Sequence, residues 1–124
     1  MLLDTDVMID FLRGFPAAVS WLGTLGTTPI GLPGLVAMEL IQGCQSLAEQ
    51  RHVENELLRF QLHWPTSADC ARALTDFSGY HLSHNLGLLD ALIGETAVGL
   101  AITLATFNIK HYSVIPGLQT IQPY

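Results

Sequence analysis

Met1-Leu2-Leu3-Asp4-Thr5-Asp6-Val7-Met8-Ile9-Asp10 is the stretch that decides how this chain folds. Three apolar residues give way abruptly to Asp-Thr-Asp, and from there apolar side chains recur at helical spacing as far as Leu12, with Arg13-Gly14 as a stop. A strand running straight into a helix, with an acid at the junction, is the opening unit of a parallel α/β sheet. Downstream, Pro16 to Leu25 reads as a helix opened by proline in its first turn and closed by Gly26. Pro29 to Leu32 is a short strand. Gly34 to Gly43 is a helix with apolar residues on nearly every face, expected to be largely buried. Ala48 to Arg59 is the most polar helix and is placed outside.

The second half repeats the alternation. Leu62 to Trp64 reads as a strand ended by Pro65, and Thr66 or Ser67 caps a helix to about Phe77. Tyr80 to Gly87 is expected to be a polar loop. Leu88 to Leu100 is a second mostly apolar helix, Ala101 to Thr106 a strand, and Leu118 to Ile121 a final edge strand before Pro123. Strands alternating with helices imply a mainly parallel sheet covered on both faces, within one domain spanning 1–124.

Composition narrows the function. The formal net charge is -6 at pH 7, with only five basic side chains against eleven acidic ones. A broad basic face for nucleic acid is excluded, so any contact with RNA has to be local. Cys44 and Cys70 form no C-x-x-C pair, which indicates neither a disulfide scaffold nor a zinc site and fits a reducing cytoplasm. Leu86 to Phe107 is apolar but broken by Asp90 and Glu95, and reads as a buried helix and strand, not a membrane span. Met1 to Leu3 run straight into Asp4 and Asp6 with no basic n-region or small-residue cleavage site, so secretion is not expected.

Most of the acids have an ordinary explanation. Glu49, Glu54 and Glu56 fall on one solvated helix, and Asp69 and Asp76 on another. Three others do not fit: Asp4 follows Met1-Leu2-Leu3, Glu39 lies inside Leu35-Val36-Ala37-Met38-Glu39-Leu40-Ile41, and Asp90 lies inside Leu88-Leu89-Asp90-Ala91-Leu92-Ile93. A carboxylate among apolar neighbours has to cap a helix, pair with a cation, stay protonated or bind metal. Asp4 and Asp90 could serve as caps; Glu39, within a helix, has no capping task. In a parallel sheet all three can face the crevice at the carboxyl ends of the strands, where ligands collect. Converging oxygen ligands favour magnesium or manganese over zinc.

These motifs, taken in order, resemble PIN-domain proteins, and particularly the VapC-type toxins of toxin-antitoxin pairs. The opening Leu2-Leu3-Asp4-Thr5-Asp6-Val7-Met8-Ile9-Asp10 carries the likeness, with Glu39-Leu40-Ile41-Gln42-Gly43 and Leu89-Asp90-Ala91-Leu92-Ile93. The tail Thr106-Phe107-Asn108-Ile109-Lys110-His111-Tyr112, followed by Ile115-Pro116-Gly117-Leu118, extends it over almost the whole chain. The resemblance implies a PIN-like three-layer α/β/α sandwich and a metal-dependent endoribonuclease. Asp4, Glu39 and Asp90 would hold Mg²⁺ or Mn²⁺, and hydrolysis would leave a 5'-phosphate and a 3'-hydroxyl. It also implies a small VapB-type antitoxin as partner, and a homodimer.

One position departs from that pattern. Many PIN domains carry a fourth acid where this chain has Asn108, which favours one well-held metal over two. Asp6 is either a supplementary ligand or a residue at the start of a helix, favoured there by the dipole. Thr106, Lys110 and Arg13 are candidate substrate contacts, with His111 beside them. His81 and His84, without partners, read as surface residues, and Glu95 as structural or interfacial. Two other functions remain in view. A PIN fold with weak catalysis could act through its protein partner. A phosphatase of the haloacid dehalogenase type suits Asp4-Thr5-Asp6 less well, because Met8 stands where its threonine or valine belongs and Lys110 is the only lysine.

Overall fold

The computed structural model describes residues 1–124 throughout. Five short strands, β1 (Leu2–Leu3), β2 (Gly31–Pro33), β3 (Gln61–His63), β4 (Leu104–Ala105) and β5 (Thr120–Ile121), form one sheet in the order β3-β2-β1-β4-β5. Every pairing is parallel. The central strands are buried on both faces, which is why Leu2, Leu3, Leu32, Leu104 and Ala105 carry no polar group. The helices are α1 (Thr5–Leu12), α2 (Pro16–Thr24), α3 (Gly34–Gln42), α4 (Leu47–Leu57), α5 (Ser67–His84), α6 (Leu88–Leu100) and α7 (Ile109–Tyr112). No helix is long and apolar enough to cross a membrane.

The strand order fixes where a ligand would sit. From β1 the chain moves outward through β2 to β3, then returns across the sheet to β4 and β5. Right-handed crossovers therefore put α1–α4 and α5–α6 on opposite faces, and they open a crevice beyond the carboxyl ends of β1 and β4. Asp4 follows β1 directly, and Thr106 follows β4 directly.

Several expectations from sequence are corrected. The stretch from Tyr80 is not a loop: α5 continues to His84 and is closed by Asn85 in the left-handed conformation (φ 54°). Helical stacking of Phe77 on His81 supports the extra turn, and Tyr80 meets His84 edge-on. Ala101 is not in a strand; at φ 54° it ends α6, and only Leu104–Ala105 pair. The tail contains a short helix, α7, that begins after Asn108, whose side chain makes no capping bond. Helix α3 is largely buried, as expected: Val36, Ala37 and Leu40 are in the core, Leu35 and Ile41 pack against it, and Met38 is exposed. The largest correction concerns Asp69 and Asp76. Both are buried, not solvated, and Asp69 completes a capping box with Thr66 at the start of α5.

Those two acids belong to a network between α5 and α6. Arg72 donates to Asp69 and, at 2.7 Å, to Glu95 on α6. Glu95, also buried, is thus structural, as its sequence position suggested. Asp76 has an oxygen with no hydrogen-bond partner, and burial beside Glu95 pushes its carboxyl well above the usual range. That shift limits how much negative charge gathers around the single arginine.

The start of α3 is held by a close approach. A side chain at Gly34 would run into the ring of Trp64, just after β3. On propensity alone, Gly34→Ala would stabilise by less than the ~1 kcal/mol of a helix interior, because Gly34 is the first residue of α3. Displacing a packed indole costs about 1–3 kcal/mol, so a lower Tm is expected for the variant. A rise in Tm would show that the half-exposed ring yields freely.

Candidate active site

Asp4 is 6% exposed and acts as the N-cap of α1. Its Oδ1 accepts from the Thr5 N–H at 2.8 Å, and its Oδ2 accepts from the Thr106 hydroxyl at 2.7 Å. Capping and site-building are therefore not alternatives: one carboxylate does both, because the helix begins where the strand ends. Thr106, fully buried, also accepts from the Asn108 N–H at 3.0 Å, which ties the loop after β4 to the pocket. Asp6 accepts from the Val7 N–H at 2.7 Å and from the Phe107 N–H at 3.0 Å. Glu39, on α3, accepts from the Thr5 hydroxyl at 3.2 Å. Asp90 lies in the first turn of α6, close over Gly87, with no hydrogen bond to fix it.

Asp4, Thr5, Asp6, Ile9, Glu39, Asp90 and Asn108 line one opening of about 240 Å³. The contact of α3 with α6 is what brings Glu39 opposite Asp90. All the acids singled out in the sequence are thus gathered, with Asn108 as the expected fourth corner. None of them forms an ion pair, since the salt bridges involve only Arg59 and Arg72. Burial is the main cause that pushes the Asp4 carboxyl up to about 6, with Asp6 beside it adding repulsion. Asp6 and Glu39 are raised too, again chiefly by burial, and the Asp90 charge adds to the effect at Glu39. The carboxylates share an opening without being drawn together: no three of them stand close enough to grip one ion directly. Mutual repulsion in a solvent-filled mouth accounts for that spacing.

The remaining candidates do not line this opening. Lys110 is exposed and bonded to nothing in the pocket. Arg13 lines a neighbouring cavity of about 350 Å³ with Glu39, Cys44, Glu49 and His52. That cavity is larger, but Glu39 is the only pocket acid it shares, so the smaller opening is where the acids are concentrated. Two residues escaped the sequence reading. Tyr112 lies beneath Asp4, and Tyr124 donates to Asp10 at 2.8 Å while packing on Phe15, Trp21 and Phe107. Neither had a local signal, because each meets its partner across almost the whole chain.

The sequence profile of the PIN domain matches residues 1–115. The chain belongs to the PIN-domain family. Ribonuclease VapC10 of Mycobacterium tuberculosis is 36% identical over 121 residues, covering 96% of this PIN domain and 90% of that protein. Ribonuclease VapC19 of the same organism is 31% identical over 123 residues, covering 95% and 96%. Among solved structures, a toxin-antitoxin complex from Klebsiella pneumoniae contains a chain with a TM-score of 0.78 and 26% identity, matched over 99% of this PIN domain and 97% of that chain. A DNA-bound VapBC from Salmonella typhimurium gives a TM-score of 0.79 at 22% identity, a likeness of fold. Family membership removes the aspartyl-phosphatase alternative, and the structure agrees: Lys110 makes no bond to Asp4.

Proposed function

We propose that this PIN domain is a metal-dependent endoribonuclease and the toxin of a VapBC-type pair, acting in the cytoplasm. The observation that carries the reading is the buried Asp4 carboxylate at the end of β1, sharing one opening with Glu39 and Asp90 and with no cationic side chain to balance them. Its likeness to VapC10 and VapC19 supports RNA as the substrate class.

The donor set suits Mg²⁺ or Mn²⁺: the side-chain groups around the opening are carboxylates, a threonine hydroxyl and the Asn108 amide, all hard oxygen donors apart from the amide nitrogen. Magnesium keeps several of its waters, so carboxylates too far apart to grip an ion directly can still hold one through them. Asp4, Glu39 and Asp90 would be the principal holders, with Asp6 and Asn108 supplementary. When bound, the ion supplies Lewis acidity toward the phosphate and the attacking water. The chain does the placing. Thr5 and Thr106 fix Asp4, Thr5 also steadies Glu39, and Asp90 is free to adjust. Exposed Lys110 and Arg13, the latter in the neighbouring cavity, would be the local basic contacts for RNA phosphate that the acidic surface otherwise withholds. Water adds to phosphorus as the P–O bond to the leaving oxygen breaks, which leaves a 5'-phosphate and a 3'-hydroxyl.

The partner is a VapB-type antitoxin. The second copy of a homodimer would cover the apolar groove of Cys70, Ala73, Leu74, Phe77, Leu88 and Leu92 between α5 and α6. Light scattering tests the dimer.

The deciding experiment is cleavage of structured RNA by partner-free protein in Mg²⁺ or Mn²⁺, beside Asp4→Asn and Asp90→Asn. Wild-type cleavage lost in both variants is expected. Equal cleavage by all three would mean contamination and sink the nuclease reading. No cleavage by any would favour a binding module that acts through its partner, a role to which the neutral Asn108 lends weight.

A further inference from the structure

Tyr112 is the largest fully buried side chain in the molecule, 1% exposed, and its hydroxyl has no hydrogen-bond partner. Phenylalanine would fill the same volume without burying a polar group, so packing alone does not account for the oxygen. The hydroxyl is aimed at the acidic pocket. It lies near enough to Asp4 for the two groups to act on one another, without closing a well-formed hydrogen bond, and the charges of Asp90 and Glu39 also bear on it. Ionised carboxylates only accept hydrogen bonds, and Tyr112 is the one unengaged donor buried among them. Asp4 already accepts from Thr5 and Thr106, one donor to each oxygen, and each oxygen has a further lone pair.

We propose that Tyr112 is a positioning residue of the pocket, whose hydroxyl is held in reserve as a third donor to Asp4 and closes on it when the carboxylates draw together around a divalent cation. The inference rests on the metal-binding reading of the pocket. A donor behind a ligating carboxylate fixes its orientation, and losing such a group commonly weakens metal binding by roughly 10–100-fold.

Tyr112→Phe removes the oxygen and keeps the ring. Mn²⁺ binding, followed by calorimetry and by the Mn²⁺ spin-resonance signal in the absence of RNA, is expected to weaken by roughly tenfold. In EDTA the Tm is expected to hold or rise, because the variant deletes a buried group that lacks a partner. Unchanged Mn²⁺ affinity would overturn the proposal, and so would a Tm in EDTA that falls along with the affinity, the mark of a purely structural hydroxyl. Asp4→Asn separates the two levels of inference. If wild type and Asp4→Asn bind Mn²⁺ alike, the metal pocket itself fails and the role of Tyr112 with it. If Asp4→Asn abolishes binding and Tyr112→Phe leaves it intact, Tyr112 alone is excluded.

Discussion

Asp4→Asn is expected to abolish RNA cleavage, with a loss on the order of a hundredfold or more, and at the same time to make the metal-free protein more stable at pH 8. Ordinarily a buried, hydrogen-bonded carboxylate is a source of stability. Here burial outweighs the bonds from Thr5 and Thr106 and raises the carboxyl from 3.8 to about 6. Above about pH 6 the folded chain carries this charge at a cost that the unfolded chain does not bear. As pH falls from about 6 toward 3.8, the folded state takes up the proton first and the cost disappears. The shift corresponds to about 3 kcal/mol at full ionisation, of which the imperfect replacement of the Thr106 bond by an amide removes a part. A Tm several degrees above wild type is expected in EDTA at pH 8, and a smaller gain at pH 5. Saturating Mn²⁺ should reverse the order, since the ion stabilises only the protein that binds it. A lower Tm for the variant at pH 8 in EDTA would show that the hydrogen bonds dominate.

Arg72→Met is expected to be the most damaging single substitution outside the pocket. It leaves Glu95 and Asp69 buried without their cation, and next to them Asp76, whose carboxyl is pushed up chiefly by burial and further by Glu95 beside it. Arg72 itself is exposed and its pairs are screened by solvent, so the cost comes from the carboxylates, which stay buried after their cation is gone. With that screening, a fall in Tm of a few degrees is expected for a domain of this size. Arg72→Met/Glu95→Met removes the second charge and fills the space with apolar atoms. It should recover most of the loss, and failure to recover would show that the network contributes more than charge balance. Because α6 also carries Asp90, the single variant should lose activity before it unfolds.

The three pocket acids were legible because each interrupts an apolar run, a local conflict that only a function or a partner resolves. Asp69 and Asp76 were misread for the complementary reason. Both lie on a helix of mixed polarity that reads as a solvated surface, and the network that buries them is completed only by Glu95 on the next helix. The parallel sheet followed from the alternation of strands and helices, while the length of α5 did not, because Gly79 and the histidines after it look like loop chemistry. Tyr112 and Tyr124 carried no sequence signal. A tyrosine near aliphatic residues reads as core or surface, and only the fold places one hydroxyl under Asp4 and the other against Asp10.

The bond between Thr106 and Asp4 spans 102 residues, and the strands that precede them, β4 and β1, are neighbours at the centre of the sheet. This long closure has a meaning for synthesis. A ribosome that has made the first hundred residues has made every pocket carboxylate, but neither the strand that completes the centre of the sheet nor the threonine that fixes Asp4. Nascent chains and prematurely ended products therefore lack an assembled pocket. A cell making this protein meets its activity only after nearly the whole chain has emerged and folded, which leaves time for an inhibitor to be present first.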